Sequence, residues 1–109
     1  MIIKDHYKGA ISMRNISYPK PGEILLEEFI RPMGLTPYRV AKDIGVSQAR
    51  ISNIIAGKRS ITVNTGLRLS RYFGMNEDFW TGLQLDHDKA QVRDFLEETL
   101  ANIKPYSKA

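Results

Sequence analysis

Residues 35–58 decide the fold, and they read LTPYRVAKDIGVSQARISNIIAGK. Two short helices are predicted here, because each has a hydroxyl residue where it starts and a glycine where it ends. Thr36 caps the first helix and Gly45 ends it, while Ser47 caps the second helix and Gly57 terminates it. The connection is about three residues long, which is the spacing of a helix-turn-helix.

The packing of this unit is also predicted from its small and branched residues. Ala41 lets the two helices approach closely, Gly45 permits a left-handed backbone at the turn, and Val46 with Ile51 fills the angle between the helices. The second helix, residues 47–56, then exposes a set of short side chains with no carboxylate: Gln48, Ala49, Arg50, Ser52 and Asn53. Such a face is typical of a helix that enters the major groove of DNA, although an ordinary solvated helix face is the alternative interpretation.

The flanking sequence predicts an all-α fold. A first helix is expected over residues 21–31, and its buried stripe comprises Leu25, Leu26, Phe29 and Ile30. Thr62 caps a fourth helix that ends at Gly74, and Asn76 caps a fifth with acidic residues in its first turn. The chain therefore divides into an N-terminal arm over residues 1–20, a five-helix domain over 21–85, and a C-terminal segment over 86–109.

An additional C-terminal helix is predicted over residues 88–103 and ends before Pro105. Its apolar residues recur at helical spacing, and they are Val92, Phe95, Leu96, Leu100 and Ile103. This stripe could pack on the protein's own core, pair with a second copy of the chain, or bind another protein. The sequence leaves all three interpretations open.

The charge distribution indicates a polyanion as partner. The 109 residues carry a net charge of +4, but residues 34–75 contain seven Lys or Arg against one Asp, whereas residues 76–109 have a net charge of −3. A concentrated basic segment is expected of a nucleic-acid binder, because neutralised phosphates release condensed counterions. There is no cysteine and no long apolar run, so we expect an intracellular, cytoplasmic protein without a membrane segment.

Enzymatic chemistry is not expected. The chain has no cysteine, no clustered histidines, no Gly-rich phosphate loop and no nucleophile beside a base, so we expect neither a catalytic residue nor a metal or other cofactor. His6 and His87 are far apart in the sequence, and both are expected to lie on the surface. The segment Asp86, His87 and Asp88 is interpreted as a solvated joint between helices.

The helix-turn-helix segment resembles the phage-repressor-like (Xre-type) group, and the residues that match are Ala41, Gly45, Val46, Ser47, Ile51, Ser52 and Gly57. Residues 19–90 as a whole resemble the HigA-type antitoxins of bacterial toxin–antitoxin modules. That resemblance lies in the segments at 21–25 (PGEIL), 57–59 (GKR), 67–69 (LRL) and 76–80 (NEDFW).

The resemblance implies a homodimer that represses its own promoter by binding operator DNA. It also implies a partner, a small mRNA-cleaving toxin of the HigB/RelE-like type, which the protein neutralises by direct binding. Two other functions remain open. One is a stand-alone transcriptional regulator with no toxin partner, and the other is a protein-binding inhibitor whose DNA affinity is vestigial.

The resemblance assigns base readout to Gln48, Ala49 and Asn53, with Arg50 and Ser52 as flanking candidates. Related domains often carry a phosphate-contacting glutamine where this chain has Pro37, so that contact is either lost or moved to Thr36, Tyr38 or Arg39. The candidates for phosphate contact are Thr36, Tyr38, Arg39, Ser47, Lys58 and Arg59. In a two-fold dimer the paired recognition helices should lie about 34 Å apart and read an inverted repeat.

Overall fold

The structure is a computed structural model, and it describes residues 19–107. A first helix, α1, occupies residues 21–30 and changes from α-helical over Pro21–Ile24 to π-helical over Leu25–Ile30. The remaining helices are α2 (Pro37–Ile44), α3 (Gln48–Ile55), α4 (Val63–Phe73), α5 (Phe79–Phe95) and α6 (Glu97–Ala101). The described residues contain no strand, so the predicted all-α fold with an extra C-terminal helix is confirmed. The N-terminal arm lies outside them up to residue 18.

Hydroxyl caps and glycines set the helix boundaries where the sequence predicted them. Thr36, Ser47 and Thr62 each accept a hydrogen bond from the backbone N–H three residues later, at 3.1 to 3.2 Å. Gly45 and Gly74 end α2 and α4 with φ angles of 76° and 67°, which place both in the left-handed region. The predicted start and end of both α2 and α4, and the start of α3, are therefore confirmed.

The core lies between α1, the helix-turn-helix unit, α4 and the N-terminal half of α5. Phe29 of α1 sits in a cluster of aromatic rings, with its centroid 5.1 Å from that of Phe73, 5.8 Å from Phe79 and 4.8 Å from Trp80. Such tilted and edge-on contacts stabilise a core beyond the area that the rings bury. Of the predicted stripe on α1, Leu26 is only partly buried, whereas the other three residues are fully inside.

The start of the fifth helix differs from the prediction. The side chain of Asn76 accepts a hydrogen bond from the backbone N–H of Asp78 at 2.8 Å, which folds residues 77–78 into a turn before the helix. The helix therefore begins at Phe79, and Glu77 and Asp78 precede it. Asn side chains compete in this way with the helical backbone two residues on.

The C-terminal helix differs more strongly, because it is not a separate element that starts at residue 88. Helix α5 runs without interruption through residues 86–88 as far as Phe95, so the boundary expected between 85 and 86 falls inside a helix. The chain breaks instead at Leu96, and the short α6 ends at Ala101, before Pro105. No proline interrupts residues 79–95, and solvated charges at 86–88 do not break a helix.

The apolar stripe of the C-terminal segment does not pack on the core. Within residues 19–107 the exposed large apolar residues of this segment are Val92, Phe95, Leu100, Ile103 and Tyr106, and Phe95 is 88% exposed. Of the three interpretations left open by the sequence, burial in the protein's own core is therefore wrong. No helix in the described part of the chain is long and apolar enough to cross a bilayer.

Candidate nucleic-acid interface

The helix-turn-helix angle is fixed by close packing at the turn. Ala41 of α2 is buried, and Ile51 of α3 is fully buried. Val46 packs partly buried against the core, and its backbone N–H donates to the carbonyl of Ala41 at 3.0 Å. The left-handed backbone that the sequence predicted at Gly45 is confirmed. The burial of Ala41, Val46 and Ile51 agrees with the packing roles predicted for them.

An arginine from α4 holds this turn from outside, and sequence reasoning missed it. Arg68 Nη1 donates to the carbonyl oxygens of Ile44 at 2.7 Å and Gly45 at 3.3 Å, and its Nε donates to Asn64 Oδ1 at 2.9 Å. The guanidinium thus satisfies carbonyls at the C-terminal end of α2, where a positive charge also complements the helix dipole. No local sequence signal marks the contact, because Arg68 lies 24 residues beyond Ile44.

The outer face of α3 presents the predicted polar side chains to solvent. Gln48, Ala49 and Ser52 are exposed, Asn53 is half-buried, and the opposite face buries Ile51 and Ile54 in the core. Within residues 19–107 the side chains of Gln48, Ser52 and Asn53 make no hydrogen bond. Their donors and acceptors are therefore free to meet base edges.

Arg50 is oriented differently from the other candidates on α3. Its side chain is half-buried, and its Nη1 donates to Thr65 Oγ1 on α4 at 3.4 Å. The guanidinium therefore points towards the protein in this structure. A base contact would require Arg50 to leave Thr65.

The candidates for phosphate contact lie at the ends of the helix-turn-helix unit. The side-chain oxygens of Thr36 and Ser47 accept amide hydrogen bonds at the N-termini of α2 and α3, so each hydroxyl hydrogen remains available to a phosphate. Tyr38 is exposed in the first turn of α2. Lys58 and Arg59 are exposed after α3, and both of their backbone N–H groups donate to the carbonyl of Asn53, at 2.9 and 3.2 Å.

Arg39 has a partner within the protein. Its Nε donates to Asp43 Oδ2 at 2.7 Å, and the same carboxylate oxygen accepts a hydrogen bond from the Tyr72 hydroxyl at 2.6 Å. The hydrogen bonds from Tyr72 and Arg39 lower the pKa of Asp43, and the bond to Asp43 raises the pKa values of Tyr72 and Arg39. The guanidinium is still largely exposed, so it can reach a phosphate while it stays paired with Asp43.

His87 is not on the surface, as the sequence led us to expect. Its side chain is 8% exposed, and its Nδ1 is buried with no hydrogen-bond partner. Because α5 continues past residue 86, His87 falls on the inner face of that helix. The interpretation of residues 86–88 as a solvated joint is therefore wrong. His6 lies outside the described residues.

Comparison with known proteins agrees with this architecture. The helix-turn-helix family matches residues 26–80. Virulence-associated protein I of Dichelobacter nodosus is 47% identical over 68 residues, which span 62% of this chain and 63% of that protein. Antitoxin HigA-1 of Vibrio cholerae is 32% identical over 84 residues, which span 77% of this chain and 79% of that protein.

A solved structure extends the likeness to three dimensions. The Pseudomonas aeruginosa antitoxin HigA, determined with the higBA promoter, has a TM-score of 0.75 and 29% sequence identity, and the match covers 82% of this chain and 98% of that one. The chain therefore belongs to the helix-turn-helix family, of the Xre type. Its structural neighbours are antitoxins of the HigA kind.

Proposed function

We propose that this protein is an antitoxin and transcriptional autorepressor that binds operator DNA as a homodimer and neutralises a cognate mRNA-cleaving toxin. The observation that carries the DNA-binding part is the free polar face of α3. Between Asp43 and Glu77 the chain has no carboxylate, and that interval includes all of α3 and the basic turn after it. A helix with this face, held rigidly by the turn and by Arg68, suits the major groove.

Base readout is assigned to Gln48, Ala49, Ser52 and Asn53. Gln and Asn can bind adenine bidentately, and the methyl group of Ala49 can meet a thymine methyl. Phosphate contact is assigned to Lys58 and Arg59 after α3, and to Thr36, Tyr38, Arg39 and Ser47 around the helix N-termini. Arg50 is kept as a secondary candidate because its guanidinium is bonded to Thr65.

Self-association is assigned to the exposed apolar face of α5 and α6. Reading an inverted repeat requires a two-fold pair of chains, and a two-fold interface uses the same patch on both copies. The residues of this face lie on one C-terminal segment and are not covered by the protein's own core. A second copy of this chain is therefore its proposed occupant.

Neutralisation of a toxin is supported by the names of the relatives, among them antitoxin HigA-1 of Vibrio cholerae. The proposed partner is a small HigB/RelE-like toxin encoded beside the gene. A stand-alone regulator without a toxin would use the same DNA-binding face. It is the second candidate, because other relatives are described as helix-turn-helix transcriptional regulators.

Co-expression with the neighbouring open reading frame tests the proposal. Growth is recorded with the neighbour alone and with both proteins, and the mixture is purified to see whether one complex forms. Arrest by the neighbour, rescue by this chain and co-purification are the expected results. A harmless neighbour that does not bind would remove the toxin partner. Binding of the pure protein to its own promoter, measured beside random duplex, tests the operator part separately.

A further inference from the structure

A cleft of about 250 Å³ lies beside the turn that follows α3, on the side that faces α5. Its walls come from three separate segments: Lys20 with the first two residues of α1, the end of α3 with the turn at 57–60, and the middle of α5. The volume is enough for a tetrahedral anion together with several waters, since one water occupies about 30 Å³. None of the sequence motifs predicted this cleft.

Three cationic side chains line the cleft. Lys20 Nζ lies 3.1 Å from the position that a Cβ would take on Gly57, which brings its ammonium group against the turn that carries Lys58 and Arg59. Within residues 19–107 none of these three cations forms an ion pair. Three like charges around one cleft, outnumbering the one carboxylate on its lining, favour an anionic ligand.

A buried imidazole lines the same cleft from the α5 side. His87 is more than nine-tenths buried, and its Nδ1 has no hydrogen-bond partner. An unpartnered buried polar group destabilises a fold. His87 Nδ1 itself has almost no accessible surface, so a ligand in the cleft would reach it only after the imidazole ring turns towards the cleft. The single carboxylate on the lining belongs to Asp88, whose Oδ1 accepts a hydrogen bond from Gln84 Nε2 at 3.0 Å.

We propose that this cleft binds a phosphate group, held by Lys20, Lys58 and Arg59 with His87 beneath them. The group can come from the DNA backbone or from free phosphate, because both present the same tetrahedral anionic oxygens. For the DNA source the inference rests on the proposed function, since it adds Lys20 and His87 to the phosphate contacts made by the turn after α3.

Two binding measurements separate the sources. Inorganic phosphate is titrated calorimetrically into the full-length protein at constant ionic strength, and the affinity for duplex DNA is measured over a range of salt concentrations. The variants are Lys20→Gln, His87→Leu and Asp88→Asn. Lys89→Gln is the matched control, because Lys89 is exposed on the same helix and does not line the cleft.

If free phosphate is the ligand, Lys20→Gln and His87→Leu weaken its binding by about tenfold, and Asp88→Asn strengthens it. If the DNA backbone is the ligand, the titration with inorganic phosphate shows no binding. Lys20→Gln then lowers the slope of log affinity for duplex DNA against log salt concentration by about one. Lys89→Gln should change neither quantity.

The role of His87 as a ligand is separable from a structural role. His87→Leu replaces the imidazole with an apolar side chain of similar bulk and so removes the unpartnered nitrogen. The thermal stability of the variant should equal or exceed that of the wild type, while its affinity for the anion falls. A stability loss with unchanged affinity would make His87 purely structural and remove it from the site.

The site itself is overturned if Lys20→Gln and Asp88→Asn both behave like Lys89→Gln in the phosphate titration and in the DNA measurement. It is also overturned if Asp88→Asn weakens the binding. A protein that binds phosphate but not its promoter would refute the proposed function and leave the site standing. A protein that has no affinity for phosphate, and whose promoter binding shows the same salt slope with and without Lys20→Gln, would refute the site and leave the proposed function standing.

Discussion

The Arg68 guanidinium donates a hydrogen bond to the carbonyl oxygen of Ile44 at 2.7 Å, and so ties α4 to the C-terminal end of α2. This end of α2 is where the helix-turn-helix unit changes direction. The orientation of the recognition helix therefore depends on a charged side chain outside the motif. The contact is partly buried, which protects it from competition with water.

Replacing Arg68 with Met should weaken both the fold and DNA binding. Loss of a charged donor to partly buried carbonyls is expected to lower the free energy of unfolding by about 2 kcal/mol. Chemical denaturation followed by the fluorescence of Trp80, the one tryptophan, measures it. Arg71→Met is the matched control, because Arg71 is exposed on the same helix and makes no hydrogen bond or ion pair within residues 19–107. Equal stability losses in the two variants would contradict the role of Arg68.

Glycine at position 22 is required by the contact between α1 and α3. A Cβ built there would lie 1.9 Å from the carbonyl oxygen of Ile54, which is backbone and cannot move aside easily. Gly22→Ala is therefore expected to lower the free energy of unfolding by about 3 kcal/mol. Gly82→Ala is the control, because nothing lies within 4 Å of its Cβ, and it should raise stability by about 1 kcal/mol. Similar thermal shifts from both substitutions would refute the close approach.

The free energy of unfolding should decrease in acid, because protonation of Asp43 weakens the hydrogen bonds that its carboxylate accepts from Tyr72 and Arg39. The pKa of Asp43 is lowered in the folded protein, so its stabilising contribution is present above the unfolded-state pKa and is lost as the pH falls through the folded-state pKa. Asp43→Asn should therefore be less stable than the wild type near neutrality and show a smaller loss below about pH 4. Unfolding at a series of pH values checks this. A difference between the two proteins that is independent of pH would contradict it.

At alkaline pH the free energy of unfolding should decrease as Tyr72 ionises, because its hydroxyl then no longer donates to Asp43. Its folded-state pKa is raised, so its contribution is present below the unfolded-state pKa and is lost as the pH rises through the folded-state value. Tyr72→Phe removes the hydroxyl but retains the ring, and it should flatten the decline in stability above about pH 10. An unchanged alkaline decline in Tyr72→Phe would contradict the role of this hydroxyl.

Gln48 and Lys58 should affect DNA binding in different ways. Gln48→Ala is expected to weaken operator binding by about 1–3 kcal/mol and leave binding to random duplex unchanged, because base contacts carry specificity. Lys58→Gln should weaken both and lower the salt slope by about one. Fluorescence anisotropy with labelled duplexes measures both effects. If Gln48→Ala lowered the affinity for both duplexes equally, α3 would not be the reading helix.

Phe95→Arg should give a monomer, because it places a charge in the proposed self-association face. Phe95 is almost fully exposed in the isolated chain, so its fold should be unaffected. Light scattering gives the mass. Asn102→Arg adds the same charge at an exposed position outside the apolar stripe, and it should leave the dimer intact. A Phe95→Arg dimer would assign this face to another partner.

The sequence by itself determined the features that depend on local chemistry. Thr36, Ser47 and Thr62 cap helices through bonds to amides three residues away, and Gly45 adopts a left-handed φ that other residues avoid. Such interactions involve near neighbours in the chain, so the pattern of residues is enough to predict them.

Tertiary structure alone decided the rest. His87 is buried because the helix that contains it continues past residue 86 instead of breaking there. The packing of distant helices brought Arg68 to Ile44 and Lys20 to Gly57. These pairs are separated by 24 and 37 residues. A contact over that distance depends on how helices cross, which is set by the whole core at once and leaves no mark in the local sequence.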